Sequence, residues 1–292
     1  MKVAVYGKQF QQEVAPFVYE LFLELEKAEM QVLVYEPFYN FLSKQMHLNL
    51  FLGTYNSYEE LKKNIDLFIS VGGDGTILDA TTLIRDSEIP IIGVNTGRLG
   101  FLADIAKDQI SKTIKQLINK RFRIDQRTLI KLESKQSIFG ELNFALNEVT
   151  ISRKDTTSMI TITTYINDQY LNSYWADGLI IATPTGSTGY SLSCGGPIVM
   201  PGSKNFIITP VAPHNLNVRP LVISDKYEIK VKVEGRAKQF LVALDSRIQT
   251  MDAGLELTIK KESFKINMIE TETQDFSSTL RNKLLWGLDK RN

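Results

Sequence analysis

Two hydrophobic periods divide this chain, and no all-helical or single-sheet fold accommodates both. Up to about residue 121, apolar side chains recur at helical spacing between short apolar runs; beyond it they alternate. In the first part the runs at 3–6, 31–35, 67–71 and 89–94 read as strands. Between them Val14, Phe17, Val18, Leu21, Phe22 and Leu25 share one helix face, with Pro16 in its first turn. Residues 38–46 read as a helix or helical turn, and Ile110, Ile114, Leu117 and Ile118 as a further helix. Strands that alternate with helices require a parallel sheet with right-handed crossovers. In the second part residues 128–132, 144–151, 159–166, 170–174, 179–182, 227–233, 240–244, 255–259 and 264–269 read as strands, several joined by turn signals such as Asn167-Asp168 and Asp252-Ala253-Gly254. A last helical pattern, Leu280, Leu284 and Leu285, follows a cap at Ser277 or Ser278. The expected fold is an α/β N-terminal domain with a parallel sheet (1–122), a β-rich C-terminal domain (123–274) and a C-terminal helix (275–292) returning to the first domain.

The stretch that carries chemistry in the first part is VGGDGT, residues 71–76, between an apolar run and the helical spacing of Ile77, Leu78, Leu83 and Ile84. It reads as strand, tight turn and helix start. Gly72, Gly73 and Gly75 clear space for phosphates, and the helix opening near Thr76 turns N–H groups towards them. Asp74 is foreign to a plain phosphate cradle, because a carboxylate repels phosphates unless it orders a metal or takes a proton. An ordinary glycine turn with Asp-Gly explains the same residues, and both readings stand on this stretch alone. The loop has neither the Lys of a P-loop nor the third spaced glycine of a Rossmann fingerprint. A second turn, GVNTGRLGFL at 93–102, follows the next strand.

Composition narrows the function classes. A chain of 292 residues with 43% hydrophobic content suits two domains. A net charge of +1 argues against a nucleic-acid binder that works through bulk charge. With one cysteine no internal disulfide forms, the opening MKVAVYGKQF lacks a signal-peptide core, and no run has the length of a membrane span. A cytoplasmic chain with no nucleic-acid or membrane partner is expected. No His, Cys or carboxylate cluster has the spacing of a tightly held metal.

Inside the β-rich part lies ADGLIIATPTGSTGYSLSCGGPI, residues 176–198. Its hydroxyls and glycines from 183 to 196 are not the composition of a packing element; they suit either a Ser/Thr/Gly surface loop or contacts to a sugar, an amide or phosphates. Cys194 within it reads as small filler.

VGGDGT, Leu146-Asn147-Glu148, ADGLIIATPTGSTGYSLSCGGPI and APHNLNVRPLV at 212–222 resemble, in order and spacing, the motifs of bacterial NAD kinases. GGDG is shared with diacylglycerol, sphingosine and 6-phosphofructokinase relatives, whereas TPTGSTGYSLS together with Asn147-Glu148 is far more specific. The resemblance implies an NAD kinase/diacylglycerol kinase-like fold with its active site between the domains. It implies phosphorylation of the adenosine ribose 2′-hydroxyl of NAD by ATP with magnesium or another divalent cation, Asp74 taking the proton. Gly72, Gly73, Gly75 and Thr76 would hold phosphates, with Asn95 and Phe101 in the neighbouring turn beside Arg98 and Leu99. Asn147 and Glu148 are similar to a base-recognition pair, Asp177 to a further NAD-binding carboxylate, and Thr188, Gly189, Tyr190, Ser191, Leu192 and Ser193 to the segment that wraps the dinucleotide. Ala212, His214 and Arg247 stand at neighbouring positions of the implied NAD site, His214 only as a neighbour. The chain departs from the family pattern at Trp175, at Asp79, and at Asp245-Ser246-Arg247. A homodimer or homotetramer is implied. A lipid or sugar kinase sharing only GGDG, and a dinucleotide-binding regulator without turnover, are the alternatives; the first leaves TPTGSTGY unexplained.

Overall fold

A strand covered on both faces has no polar face to keep, and three runs of this chain meet that condition. Lys2–Gly7 (β1), Leu67–Val71 and Ile91–Val94 are apolar along almost their whole length, and Leu67–Val71 and Ile91–Val94 are buried throughout. The computed structural model describes residues 1–45, 53–62, 64–97, 100–103, 105–154, 158–272 and 275–285. The chain forms two compact units, Met1–Gln126 with Ile266–Asn292, and Arg127–Lys265.

In the first unit β1 is followed by α1 (Ala15–Lys27), β2 (Gln31–Tyr35), α2 (Glu36–Gln45), β3 (Gly53–Tyr55), α3 (Tyr58–Leu61), β4 (Leu67–Val71), α4 (Asp74–Ile84), β5 (Ile91–Val94) and α5 (Ile110–Ile118). The strands are parallel in the order β5-β4-β1-β2-β3. Val18, Leu21, Phe22 and Leu25 of α1, spaced by three and four, bury against Val3, Val5, Val32 and Val34 of the sheet. The expected third strand is thus the fourth, because β3 and α3, three and four residues long, are too short for periodicity to reveal. Met46, placed at the end of the second helix from the sequence, lies outside the described residues.

The second unit contains β6 (Phe122–Ser134, which begins in the first unit), β7 (Phe144–Ala145), β8 (Glu148–Arg153), β9 (Ile160–Ile166), β10 (Gln169–Ala176), β11 (Gly178–Ala182), α6 (Tyr190–Ser193), β12 (Asn205–Val211), β13 (Leu221–Ser224), β14 (Ile229–Gly235), β15 (Gln239–Leu244), β16 (Arg247–Asp252) and β17 (Glu256–Thr271, which ends in the first unit). One antiparallel sheet runs β13-β12-β11-β8-β15-β16, and β10-β9-β14-β17 pair antiparallel in a second. Leu179, Ile181, Ile208 and Val242 from one sheet meet Ile162, Val231 and Ile259 from the other in a single apolar core. The turn at Asn167-Asp168 has both residues at positive φ, 48° and 66°, as a two-residue hairpin requires.

Several sequence expectations change here. The run 144–151 is two strands broken at Leu146 and Asn147, and 255–259 with 264–269 is one continuous strand. β12, β13 and β16 were not expected; β12 carries Pro210, which has no N–H to give a central ladder and hides the strand. The last helix, α7 (Phe276–Leu284), is capped by Asp275, whose Oδ1 accepts from Ser278 N at 2.7 Å, and not by Ser277 or Ser278.

Candidate active site

Asp74 opens α4 directly beyond the C-terminal end of β4, where ligands of parallel sheets bind. Gly72, at φ 154°, has its missing side chain facing Thr76, whereas a Cβ on Gly73 or Gly75 would meet nothing within 4 Å. The open space therefore lies at Gly73 and Gly75, and Gly72 serves the turn. Asp74 does not project freely. Its Oδ2 accepts from Phe101 N at 2.8 Å, and its Oδ1 from Leu102 N at 3.0 Å and Ala103 N at 2.9 Å. Asn95, 2% exposed, spends its amide on the same turn: Oδ1 accepts from Gly97 N at 2.7 Å and Nδ2 donates to Ala103 O at 2.9 Å. Phe101 is half-buried, its ring 6.3 Å from that of Phe276. Arg98 and Leu99 lie outside the described residues. Asp79, one of the departures from the family pattern, pairs with Lys8.

In the second unit the break between β7 and β8 has a cause almost a hundred residues away. Asp245, at φ 53° in the turn between β15 and β16, directs its carboxyl onto three successive N–H groups. Oδ2 accepts from Leu146 N at 2.9 Å, and Oδ1 from Asn147 N at 2.8 Å and Glu148 N at 3.2 Å. Arg247 donates to the carbonyls of Leu142 (2.5 Å) and Phe144, so its guanidinium braces the approach to that break. Thus fixed, Asn147 Oδ1 and Glu148 Oε2 are buried acceptors without a partner among the described residues. A Cβ on Gly189 would stand 3.3 Å from Glu148 Oε2 and 3.4 Å from Asn147 Nδ2, so glycine keeps the space beside both side chains open. Burial, reinforced by the charge of Asp245, pushes the Glu148 carboxyl from the usual 4.5 up to about 8. Burial raises the Asp245 carboxyl too, against the pull of its three N–H donors and Arg247.

The hydroxyl-rich stretch is a packing element after all. Thr183, Thr185, Gly186, Ser187 and Ser191 are buried, in a 3-10 turn at Thr185–Thr188 and the short α6. Thr183 Oγ1 donates to Leu146 O at 2.6 Å, and Gly186 presses on the Asn147 backbone with no room for a Cβ. Ser191 Oγ shares a 2.8 Å hydrogen bond with Thr209 Oγ1, and Thr188 Oγ1 donates to Thr185 O at 3.3 Å. Those hydroxyls hold the segment in place, while Tyr190 is 46% exposed and Leu192 and Ser193 lie at the margin. Cys194 packs beside Ile180, Ala182 and Ile207, and burial pushes its thiol up.

Asp177 stands apart from Glu148. β11 and β8 pair with Ala182 opposite Glu148 and Gly178 opposite Ser152, so Asp177 falls at the far end of the pair, roughly 13 Å or more along the strands. There it pairs with Arg153 at 3.1 Å. The same end holds Trp175, whose ring lies 4.9 Å from that of His214, and Ala212, exposed at φ 44°. The structure therefore assembles Asn147, Glu148 and Gly189 in one place, braced by Arg247, and Asp177, Ala212 and His214 in another. Sequence reading missed the role of Asp245; a lone Asp at a hairpin turn was the available signal. Among the described residues no three His, Cys, Asp or Glu side chains gather to hold a metal, and Asp74 has its oxygens on backbone amides.

Comparison with known proteins gives this arrangement relatives. Residues 4–122 match the model of the ATP-NAD kinase N-terminal domain and residues 146–271 that of the ATP-NAD kinase C-terminal domain. The chain is 54% identical to an NAD kinase of Flavobacterium psychrophilum and 47% identical to one of Cytophaga hutchinsonii, each alignment covering 100% of both chains. Among solved structures it resembles an NAD kinase from Archaeoglobus fulgidus in complex with ATP, with a TM-score of 0.75, 27% identity and 97% of each chain covered. It also shares the fold of yeast NADH kinase complexed with NADH, with a TM-score of 0.88, 23% identity, and 98% of this chain and 88% of that one covered.

Proposed function

The chain belongs to the NAD kinase family, and from that premise we propose that it transfers the γ-phosphoryl group of ATP to the 2′-hydroxyl of the adenosine ribose of NAD, releasing NADP and ADP. The observation that supports a base-binding site most directly is the pair of buried, unpartnered acceptors, Asn147 Oδ1 and Glu148 Oε2, beside a glycine that leaves them space. A buried polar atom without a partner is costly, and a ligand that donates to both removes that cost. Asn147 offers a donor and an acceptor on one amide, and a protonated Glu148 does the same on one carboxyl, which suits the edge of a purine or an amide.

Tyr190, an exposed aromatic residue, provides a stacking face, and Asp177 contacts the dinucleotide from its own end of the sheet. Gly73 and Gly75 admit the phosphates next to Asp74. Asp74 takes the proton of the ribose hydroxyl as the new O–P bond forms and the bridging bond to the leaving diphosphate breaks. An aspartate is a weak base, which suffices when phosphoryl transfer depends mainly on positioning and charge stabilisation. The magnesium ion belongs to the ATP substrate, where it neutralises phosphate charge. No helix among the described residues is long and apolar enough to cross a membrane. The separation of Asp177 from Glu148 suits either a dinucleotide lying along one copy or a homodimer or homotetramer in which copies share sites.

The test is incubation with NAD, ATP and magnesium, read by an NADP-specific dehydrogenase. Wild-type protein makes NADP, and Asp74→Asn loses turnover by about 100-fold or more with little change in NAD affinity. NAD binding without any NADP formed overturns the kinase reading; undiminished turnover in Asp74→Asn removes that residue from the chemistry.

A further inference from the structure

Asp74 makes more hydrogen bonds than a waiting base needs, and all of them go to one turn. Three consecutive residues supply the donors: Phe101 to Oδ2, Leu102 and Ala103 to Oδ1. The turn is itself secured, with Gly100 N donating to Ala103 O at 3.2 Å and Asn95 Nδ2 to the same carbonyl at 2.9 Å. Leu102 and Ala103 are 5% and 0% exposed, which roots it in the core of the first unit. A Cβ added to Gly100 would collide with both oxygens of the Asp74 carboxylate. Gly100 is not at positive φ, so contact with Asp74, and not backbone conformation, is what excludes a side chain there.

We propose that the Gly100–Ala103 turn is the positioning element for proton transfer, fixing the Asp74 carboxylate so that a single acceptor site, on Oδ2, remains for the substrate's proton. The inference rests on the reading of Asp74 as the proton acceptor. A carboxylate has about four lone-pair sites. Oδ1 fills both of its own with Leu102 and Ala103, and Oδ2 fills one with Phe101. Transfer of the hydroxyl proton to the remaining site on Oδ2 leaves all three amide bonds in place. The step is then complete without rearrangement: O2′ loses its proton to Oδ2, gains phosphorus, and the leaving diphosphate oxygen keeps the electron pair of the broken bond. Gly100 acts through Asp74 and touches no reacting atom.

Two measurements on the full chain test this. In Gly100→Ala the added carbon displaces the carboxylate, so kcat falls about 100-fold while KM for NAD and for ATP stays within about threefold, the split that distinguishes a lost positioning effect from a damaged binding site. Hydrogen exchange without ligand reads the latch directly. The amides of Phe101, Leu102 and Ala103 exchange at least about tenfold faster in Asp74→Asn, which turns one acceptor oxygen into an NH₂ group facing a donor. Wild-type kcat in a folded Gly100→Ala, or unchanged exchange in Asp74→Asn, overturns the proposal, and the exchange result decides alone if Gly100→Ala does not fold. Failure of the wild type to make NADP removes the kinase reading but leaves the exchange result intact, so the two failures are told apart.

Discussion

Glu148 sits where a carboxyl is easier to keep neutral than to ionise: buried, with Oε2 unpartnered and the charge of Asp245 close by. Between the usual value of 4.5 and about 8, the folded protein holds a proton here that the unfolded chain has lost. Stability contributed by this group therefore falls as pH rises through that window, and the loss is complete above about pH 8. The full span is on the order of 4 kcal/mol, an upper value that local relaxation reduces. Glu148→Gln removes the titration and keeps the shape. Urea unfolding at pH 5, 7 and 9 is expected to find the wild type losing stability relative to the Gln variant at each step. A difference that stays constant with pH would sink the assignment. The Asn147-Glu148 pair was legible in the sequence as a motif, but its brace was not. Asp245 follows Glu148 by 97 residues, and nothing local in the string ties a hairpin aspartate to three distant amides.

At the scale of elements, periodicity reveals length and hides function. The amphipathic helices and the fully buried parallel strands are plain in the apolar spacing, since each must satisfy a solvent boundary. The stretch 183–196 gives the opposite signal, because its hydroxyls look solvated yet are consumed internally. Ser187 is the clearest case: fully buried, its Oγ donates to Pro184 O at 2.7 Å and accepts from Val199 N at 3.1 Å. Ser187→Ala leaves the part-buried Val199 N–H without its side-chain partner, at a cost of about 1–3 kcal/mol. Ser193, exposed at the end of α6, serves as the control, and its alanine variant is expected to stay within about 0.5 kcal/mol of wild type. Thermal unfolding of the two variants checks the contrast. Equal midpoints would mean that the hydroxyls of this stretch do not hold it to the sheet.

For the molecule as a whole, the change from helical to alternating spacing was enough to read two kinds of architecture, because layer type follows from hydrophobic period. The distribution of site residues was beyond that reading. Spacing in the sequence puts Asp177 within the same motif as Tyr190, whose hydroxyl its charge reaches, and strand register sends Asp177 to the end of β11 opposite the one that faces Glu148. A dinucleotide lying along one copy and a site completed by a second copy both follow from that geometry, and subunit mixing separates them. Asp74→Asn and Asp177→Ala are each expected to lack most turnover alone. If Asp177 serves the site of a neighbouring copy, a mixed dimer has one site carrying both substitutions and one carrying neither. Co-refolded in equal amounts, the two inactive proteins would then recover about a quarter of wild-type activity, since half of random pairs are mixed and each has one intact site. If both residues serve one copy's site, every site in every pairing carries a defect and mixing restores nothing. Light scattering on the mixture confirms that pairs formed, so an inactive mixture of demonstrated oligomers assigns Asp177 to its own copy's dinucleotide.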